Sequence, residues 1–181
     1  MNAIISLLPL PFADRVKDTW QELETRFGLI GIQRAPYPHF SWQGAERYEQ
    51  QGLLLTLQTI ANMIEPFAIQ TGGVRYFAGE MPVVFIEVIK TPQLARLHQQ
   101  IWNATRPLST TFNPYYAPQQ WQPHITLAMG DLPMEMLPKV LAWLQPQEFS
   151  WQIDIEQFSY YQESNNQAGQ LTHHFAFKHQ I

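Results

Sequence analysis

The chain contains no cysteine, which excludes disulfide bridges, thiolate metal ligands and a thiol nucleophile. It also lacks any run approaching the roughly 20 apolar residues that cross a bilayer. Residues 1–10 are apolar, but they carry neither the basic leader nor the small-residue cleavage site of a secretory signal, and Pro9 and Pro11 interrupt the segment. A buried strand is expected there. Basic residues are scarce: 11 Lys and Arg against 15 Asp and Glu leave a formal net charge of −4, too few cations for the basic face that grips a long nucleic acid. These absences lead to the expectation of a cytoplasmic, monomeric protein that crosses no membrane, binds no long nucleic acid and needs no partner protein.

The composition is that of a folded protein, with 45% hydrophobic and only 14% charged residues in 181. That length suits one unit, residues 1–181, or two small lobes sharing an interface. Eleven Phe, seven Tyr and six Trp supply stacking surface for the base of a small nucleotide or a nucleic-acid end.

Apolar spacing marks out the elements. Val16, Trp20, Leu23 and Phe27 lie on one face of a helix over about 11–26, ended by Gly28. Residues 31–42, with Pro36 and Pro38, suit an extended edge or first strand. Leu53, Leu57, Ile60 and Ile64 predict a second helix over about 45–64. Residues 67–76 and 82–89 form a hairpin, with Val84, Ile86 and Val88 alternating against Val83, Phe85 and Glu87. Thr91-Pro92 opens a third helix that ends near Thr105, and residues 106–120 read as a long surface loop. A strand over 122–128 precedes a helix carrying Leu137, Val140, Leu141 and Leu144. Alternation over 149–156, a turn over 163–169 and a strand near 171–177 read as a second hairpin.

This order repeats. Helix, Pro38-His39-Phe40-Ser41, helix and two strands are followed by helix, Pro123-His124-Ile125-Thr126, helix and two strands, in halves of roughly 10–90 and 91–178. On a strand, residues i and i+2 share a face, so each motif presents an imidazole beside a hydroxyl. The expected fold is α+β: a bilobal duplicated fold with two antiparallel sheets facing across a central cleft and helices packed outside, so that the two motifs meet on one ligand. Two imidazoles near neutrality can divide acid and base roles, and the hydroxyls can hold non-bridging phosphate oxygens. Neither a metal nor a cofactor is called for.

With these motifs the sequence resembles the two-histidine (2H) phosphoesterase superfamily over nearly its full length. That group is marked by two His-x-Thr/Ser motifs half a chain apart on a bilobal α+β fold, and it includes RNA 2′,3′-cyclic phosphodiesterases and the so-called 2′-5′ RNA ligases. The resemblance implies that His39 and His124 are catalytic and that Ser41 and Thr126 bind phosphate. It further implies that the first-motif histidine protonates the 3′-oxygen leaving group while the second activates water, turning a 2′,3′-cyclic phosphate into a 2′-phosphate. Ligation in the same cleft, or a binding module without chemistry, are the alternatives.

Arg34 and Tyr115 are expected to contact substrate; Arg34, Arg75 and Arg106 are the chief candidates for cations around the cleft. Tyr115, Tyr116 and Trp121 either stack a base or pack the loop. His98, one residue past Leu97 of the helical stripe, reads as a surface or boundary residue. His173, His174 and His179 do not read as metal ligands, because strand neighbours point to opposite faces and no carboxylate cluster accompanies them.

Overall fold

Alternation of apolar and polar residues makes strands of both histidine motifs, and those strands lie side by side at the centre of the fold. The computed structural model describes residues 1–164 and 167–178. Its strands among these residues are β1 (Asn2–Leu7), β2 (His39–Tyr48), β3 (Phe67–Phe77), β4 (Val83–Val88), β5 (Ser109–Phe112), β6 (His124–Ala128), β7 (Gln152–Ile155), β8 (Gln157–Ser164) and β9 (Gln167–Ala176). They form a curled antiparallel sheet in the order β7-β3-β4-β6-β2-β1-β8-β9, with β5 also on β2. The two lobes meet where β2 and β6 pair, at Phe40 opposite Ile125.

Among the described residues four α-helices pack outside the sheet: α1 (Phe12–Phe27), α2 (Gln50–Ala61), α3 (Pro92–Thr105) and α4 (Leu137–Leu144). Their stripes, including Val16, Leu23, Leu53, Leu57, Ile101 and Val140, join one buried cluster with Phe40, Trp42, Ile125 and Leu127 of the motif strands. α1 ends at Gly28, whose φ of 71° is the left-handed conformation that glycine tolerates best. In α3 the Thr91 hydroxyl accepts from the Leu94 N–H at 3.1 Å, the cap that the Thr-Pro pair predicts. No helix among the described residues is long and apolar enough to cross a membrane.

The bilobal α+β architecture with outer helices is the one expected, but several local expectations fail for identifiable reasons. β2 is central and runs through Tyr48, so the second helix starts at Gln50, where the Glu49 carboxylate accepts from the N–H groups of Gln51 and Gly52 at 3.0 and 2.7 Å. Residues 31–34 form a 3-10 turn, and the strand begins only at His39. The segment read as surface loop contains β5, which pairs Thr110 with Arg47 and Phe112 with Ala45. The final alternation hides a change of lobe. β7 pairs with β3 and β8 with β1, and the apolar phase slips at Glu156 from odd positions (Ile153, Ile155) to even ones (Phe158, Tyr160). The last hairpin is therefore β8-β9. Residues 165–166 of the expected turn, and His179, lie outside the described residues.

His98 is not a surface residue: it is 1% exposed and its Nε2–H donates to the Trp42 carbonyl at 3.0 Å. Its ring stacks on Trp121 at 3.8 Å between centroids, and Trp121 stacks on Trp42 at 5.7 Å. Its place one position after Leu97 gave no hint of this, since the helix turns both Leu94 and His98 inward four residues apart. Burial, with a smaller push from the Lys90 ammonium, lowers its pKa to about 4. The unfolded imidazole therefore binds its proton first. Stability from this site is complete above pH 6.5 and is lost as pH falls towards 4, by up to about 3 kcal/mol at ~1.4 kcal/mol per pK unit. Urea unfolding of the wild type and of His98→Gln across this range is expected to show that difference, and a gap between them that does not change with pH would contradict it.

Candidate active site

The pairing of Phe40 with Ile125 on the helix side of the sheet turns their chain neighbours to the other side. His39, Ser41, His124 and Thr126 are half-buried there, alternating with the buried Phe40, Trp42, Ile125 and Leu127. All four line one cleft of about 1040 Å³. Arg34 and Tyr115 line it too.

The two histidines are held alike. His39 Nδ1–H donates to the Tyr37 carbonyl at 2.5 Å, and His124 Nδ1–H donates to the Gln122 carbonyl at 2.7 Å. A carbonyl only accepts, so in each case the contact fixes the proton on Nδ1 and leaves the Nε2 lone pair free. Burial lowers the pKa of His39; the Tyr37 carbonyl opposes this and the nearby His124 lowers it further. Burial likewise lowers that of His124, against the Gln122 carbonyl. The rings of Phe77 and Phe85 pack on His124, each at 5.0 Å between centroids. Phe85 stands on the face that the alternation of β4 assigns to it, opposite Val84 and Ile86.

Backbone contacts pin the hydroxyl positions. The Trp121 indole N–H donates to the Ser41 carbonyl at 2.9 Å, and the Trp20 indole N–H donates to the Thr126 carbonyl at 3.1 Å. The side chain of Ser41 also bonds the Tyr116 phenol, whose pKa burial raises and this bond lowers. The Tyr116 ring lies against Gly44 of β2, where an added Cβ would come within 3.0 Å of its Cε2. In the aromatic loop the roles are thus divided: Trp121 packs, Tyr116 braces Ser41, and Tyr115 is 74% exposed at the cleft. Tyr116 and Trp121 were visible in the sequence only as members of a cluster, because their partners lie far away along the chain.

The other two expected cations stand elsewhere. Arg75 pairs with Glu87 at 3.4 Å beside a smaller groove, and the Arg106 guanidinium sits 4.6 Å over the Phe112 ring. His174 bonds the Ser159 hydroxyl at 2.8 Å, and among the described residues no group of three His, Asp or Glu side chains is placed to hold a metal.

Nitrogen-15 NMR of the imidazoles at pH 7 is expected to show neutral Nδ1–H tautomers for both His39 and His124. An Nε2–H tautomer at either would contradict the geometry.

Comparisons with known proteins give the family and the fold. Residues 11–167 match the family described as the 2′-5′ RNA ligase superfamily. A Bacillus mycoides (strain KBAB4) protein named as a phosphoesterase is 29% identical over 108 residues, 60% of this chain and 58% of that protein. A Bacillus cereus (strain AH820) protein with a similar name is 29% identical over 128 residues, covering 71% of this chain and 69% of its own. Among solved structures, TT0787 of Thermus thermophilus superposes with a TM-score of 0.70 at 18% identity, over 97% of both chains. Escherichia coli LigT, crystallised with ATP, gives 0.55 at 13% identity, over 99% of this chain and all of its own. These structures share the fold, and the match over residues 11–167 places the chain in the 2′-5′ RNA ligase superfamily, within the wider group of two-histidine phosphoesterases.

Proposed function

We propose that this chain is a phosphodiesterase that opens a 2′,3′-cyclic phosphate to a 2′-phosphate, with His39 and His124 as acid and base and with Ser41 and Thr126 on the phosphate. One observation carries the reading: two imidazoles, both fixed by Nδ1–H bonds to the carbonyl two residues earlier, face one cleft with a hydroxyl two residues after each. Membership of the superfamily supports a phosphoesterase or 2′-5′ RNA ligase-like activity. The cytoplasmic setting and monomeric state expected from the sequence belong to this proposal too.

In the reaction, His124 Nε2 takes a proton from water as the oxygen attacks phosphorus. The bond to O3′ breaks, and protonated His39 gives its Nε2 proton to that oxygen. Hydrogen bonds from Ser41 and Thr126 hold the charge on the non-bridging oxygens. Both proton transfers are made by imidazole, so this step needs no metal. An RNA 5′-hydroxyl in the place of water would leave a 2′-5′ linkage by the same path, which is why ligation is the second reading; the superfamily's description favours keeping it in view.

The catalytic form has one neutral and one protonated histidine. Because the cleft holds both pKa values below the ordinary 6.5, the protonated partner is lost early as pH rises. The pH profile of kcat/KM is expected to be bell-shaped with its alkaline limb at or below about pH 6.5, and a limb above about pH 7.5 would contradict the assignment. With nucleoside 2′,3′-cyclic monophosphates as substrates and a chelator present, His39→Ala and His124→Ala are each expected to lower kcat by ~10³-fold or more while leaving the unfolding midpoint nearly unchanged. Wild-type turnover in both variants would sink the mechanism. Phosphorus NMR of the product separates hydrolysis to a 2′-phosphate from ligation.

A further inference from the structure

We infer that Asp131 is a positioning residue for substrate binding: it fastens the turn over residues 31–34 across the two lobes, so that Arg34 is held at the wall of the cleft. This rests on the proposed phosphodiesterase reading, in which an anionic phosphate enters that cleft, and names what keeps Arg34 in place to meet it.

The turn has little of its own to hold it. Gly31–Arg34 is a single 3-10 turn between α1 and β2, closed by the Gln33 N–H on the Ile30 carbonyl at 3.0 Å and the Ala35 N–H on the Ile32 carbonyl at 2.9 Å. Its fastening comes from elsewhere in the chain. Asp131 follows β6, in the other lobe, and its Oδ2 accepts from the N–H groups of Ile30 and Gly31 at 2.6 and 2.7 Å. Both bonds are short, as bonds to a carboxylate are. The turn also lies directly against the chain that leads to Asp131. A Cβ on Gly31 would come within 2.0 Å of the Met129 carbonyl oxygen and 2.7 Å of Asp131 Oδ1, so only glycine allows the approach. At the far end the phenol of Tyr161, on β8, donates to the Arg34 carbonyl at 2.9 Å. The turn is thus tied at its start to the second lobe and at its end to the first, and Arg34, at the second tie, lines the cleft.

Two features separate Asp131 from an ordinary packing residue. It is not among the described residues that line the cleft, so it acts on a ligand there only through the turn. Its Oδ1 is enclosed and has no hydrogen-bond partner among the described residues. Leaving a carboxylate oxygen unpaired away from water costs stability, which points to the holding of the turn, and not to net stabilisation, as its use. A guanidinium meets a phosphate best when its fork is in register with the oxygens, so the place of the Arg34 backbone matters to binding.

Kinetics of the intact protein on a nucleoside 2′,3′-cyclic monophosphate test this. Asp131→Ala is expected to raise KM about tenfold and to change kcat by less than about threefold. Asp131→Asn, whose amide oxygen can accept the same two N–H bonds, should bring KM back to within about threefold of the wild type. Because Asp131 acts through Arg34, adding Asp131→Ala to Arg34→Gln should leave KM within about twofold of that of Arg34→Gln alone. An unchanged KM in Asp131→Ala, or effects that multiply in the double variant, would overturn the inference while leaving the phosphodiesterase reading intact. Should Asp131→Ala fail to fold, Tyr161→Phe puts the question from the other end of the turn. It keeps the ring, deletes the bond to Arg34, and is expected to raise KM about threefold in the wild type but not beside Arg34→Gln. A rise in neither background, or in both, would be contrary. If the wild type turns over no ester, the phosphodiesterase reading fails and hydrogen exchange decides the fastening by itself. The Ile30 and Gly31 amides are expected to exchange at least about tenfold faster in Asp131→Ala, with those of β2 and β6 unchanged, and equal rates would overturn it.

Discussion

The pairing of Phe40 with Ile125 is the contact on which the rest of the structure depends. It joins the two lobes at their centre, and it fixes which side chains of β2 and β6 enter the core. Because a strand alternates faces, sinking Phe40, Trp42, Ile125 and Leu127 under the helices obliges His39, Ser41, His124 and Thr126 to emerge together on the opposite side. A slip of one residue in either strand would bury its histidine and expose its apolar residues. The core thus enforces the site: the packing that stabilises the fold and the placing of the four polar side chains are one constraint.

What the core places, the backbone then orients. Each histidine ring is tied through Nδ1 to a carbonyl two residues back, and each hydroxyl-bearing residue has its own carbonyl held by an indole from elsewhere in the chain. Partial burial keeps both imidazoles largely neutral until an anion arrives. A bound phosphate diester then favours the protonated form of one of them.

Much of this was legible in the sequence because it depends on local period and on repetition. The four helical stripes, the β3-β4 hairpin, the Thr91 cap and the shared face of each motif all follow from spacing. The duplicated Pro-His-x-Ser/Thr element pointed to convergence because two related halves set equivalent strands facing each other across one cleft. What stayed hidden depends on contacts distant along the chain. β5 is a strand only because β2 extends to receive it, and its polar Ser-Thr-Thr sequence carries no apolar alternation of its own. His98 is buried by the Trp42 and Trp121 stack, and no neighbour in its helix announces that. The lobe change at Glu156 takes place within a single residue, a phase slip too small to separate from ordinary noise in the pattern. Tyr116 bracing Ser41 is likewise set by the close approach that Gly44 allows.

The central claim is that both histidines and both hydroxyls converge on one phosphate. A crystal structure with a bound nucleoside 2′-monophosphate tests it most directly. The account predicts phosphate oxygens within about 2.6–3.2 Å of Nε2 of His39 and of His124, with the Ser41 and Thr126 hydroxyls on the same group. A phosphate seated beside Arg75 in the smaller groove, or touching only one of the two imidazoles, would contradict it.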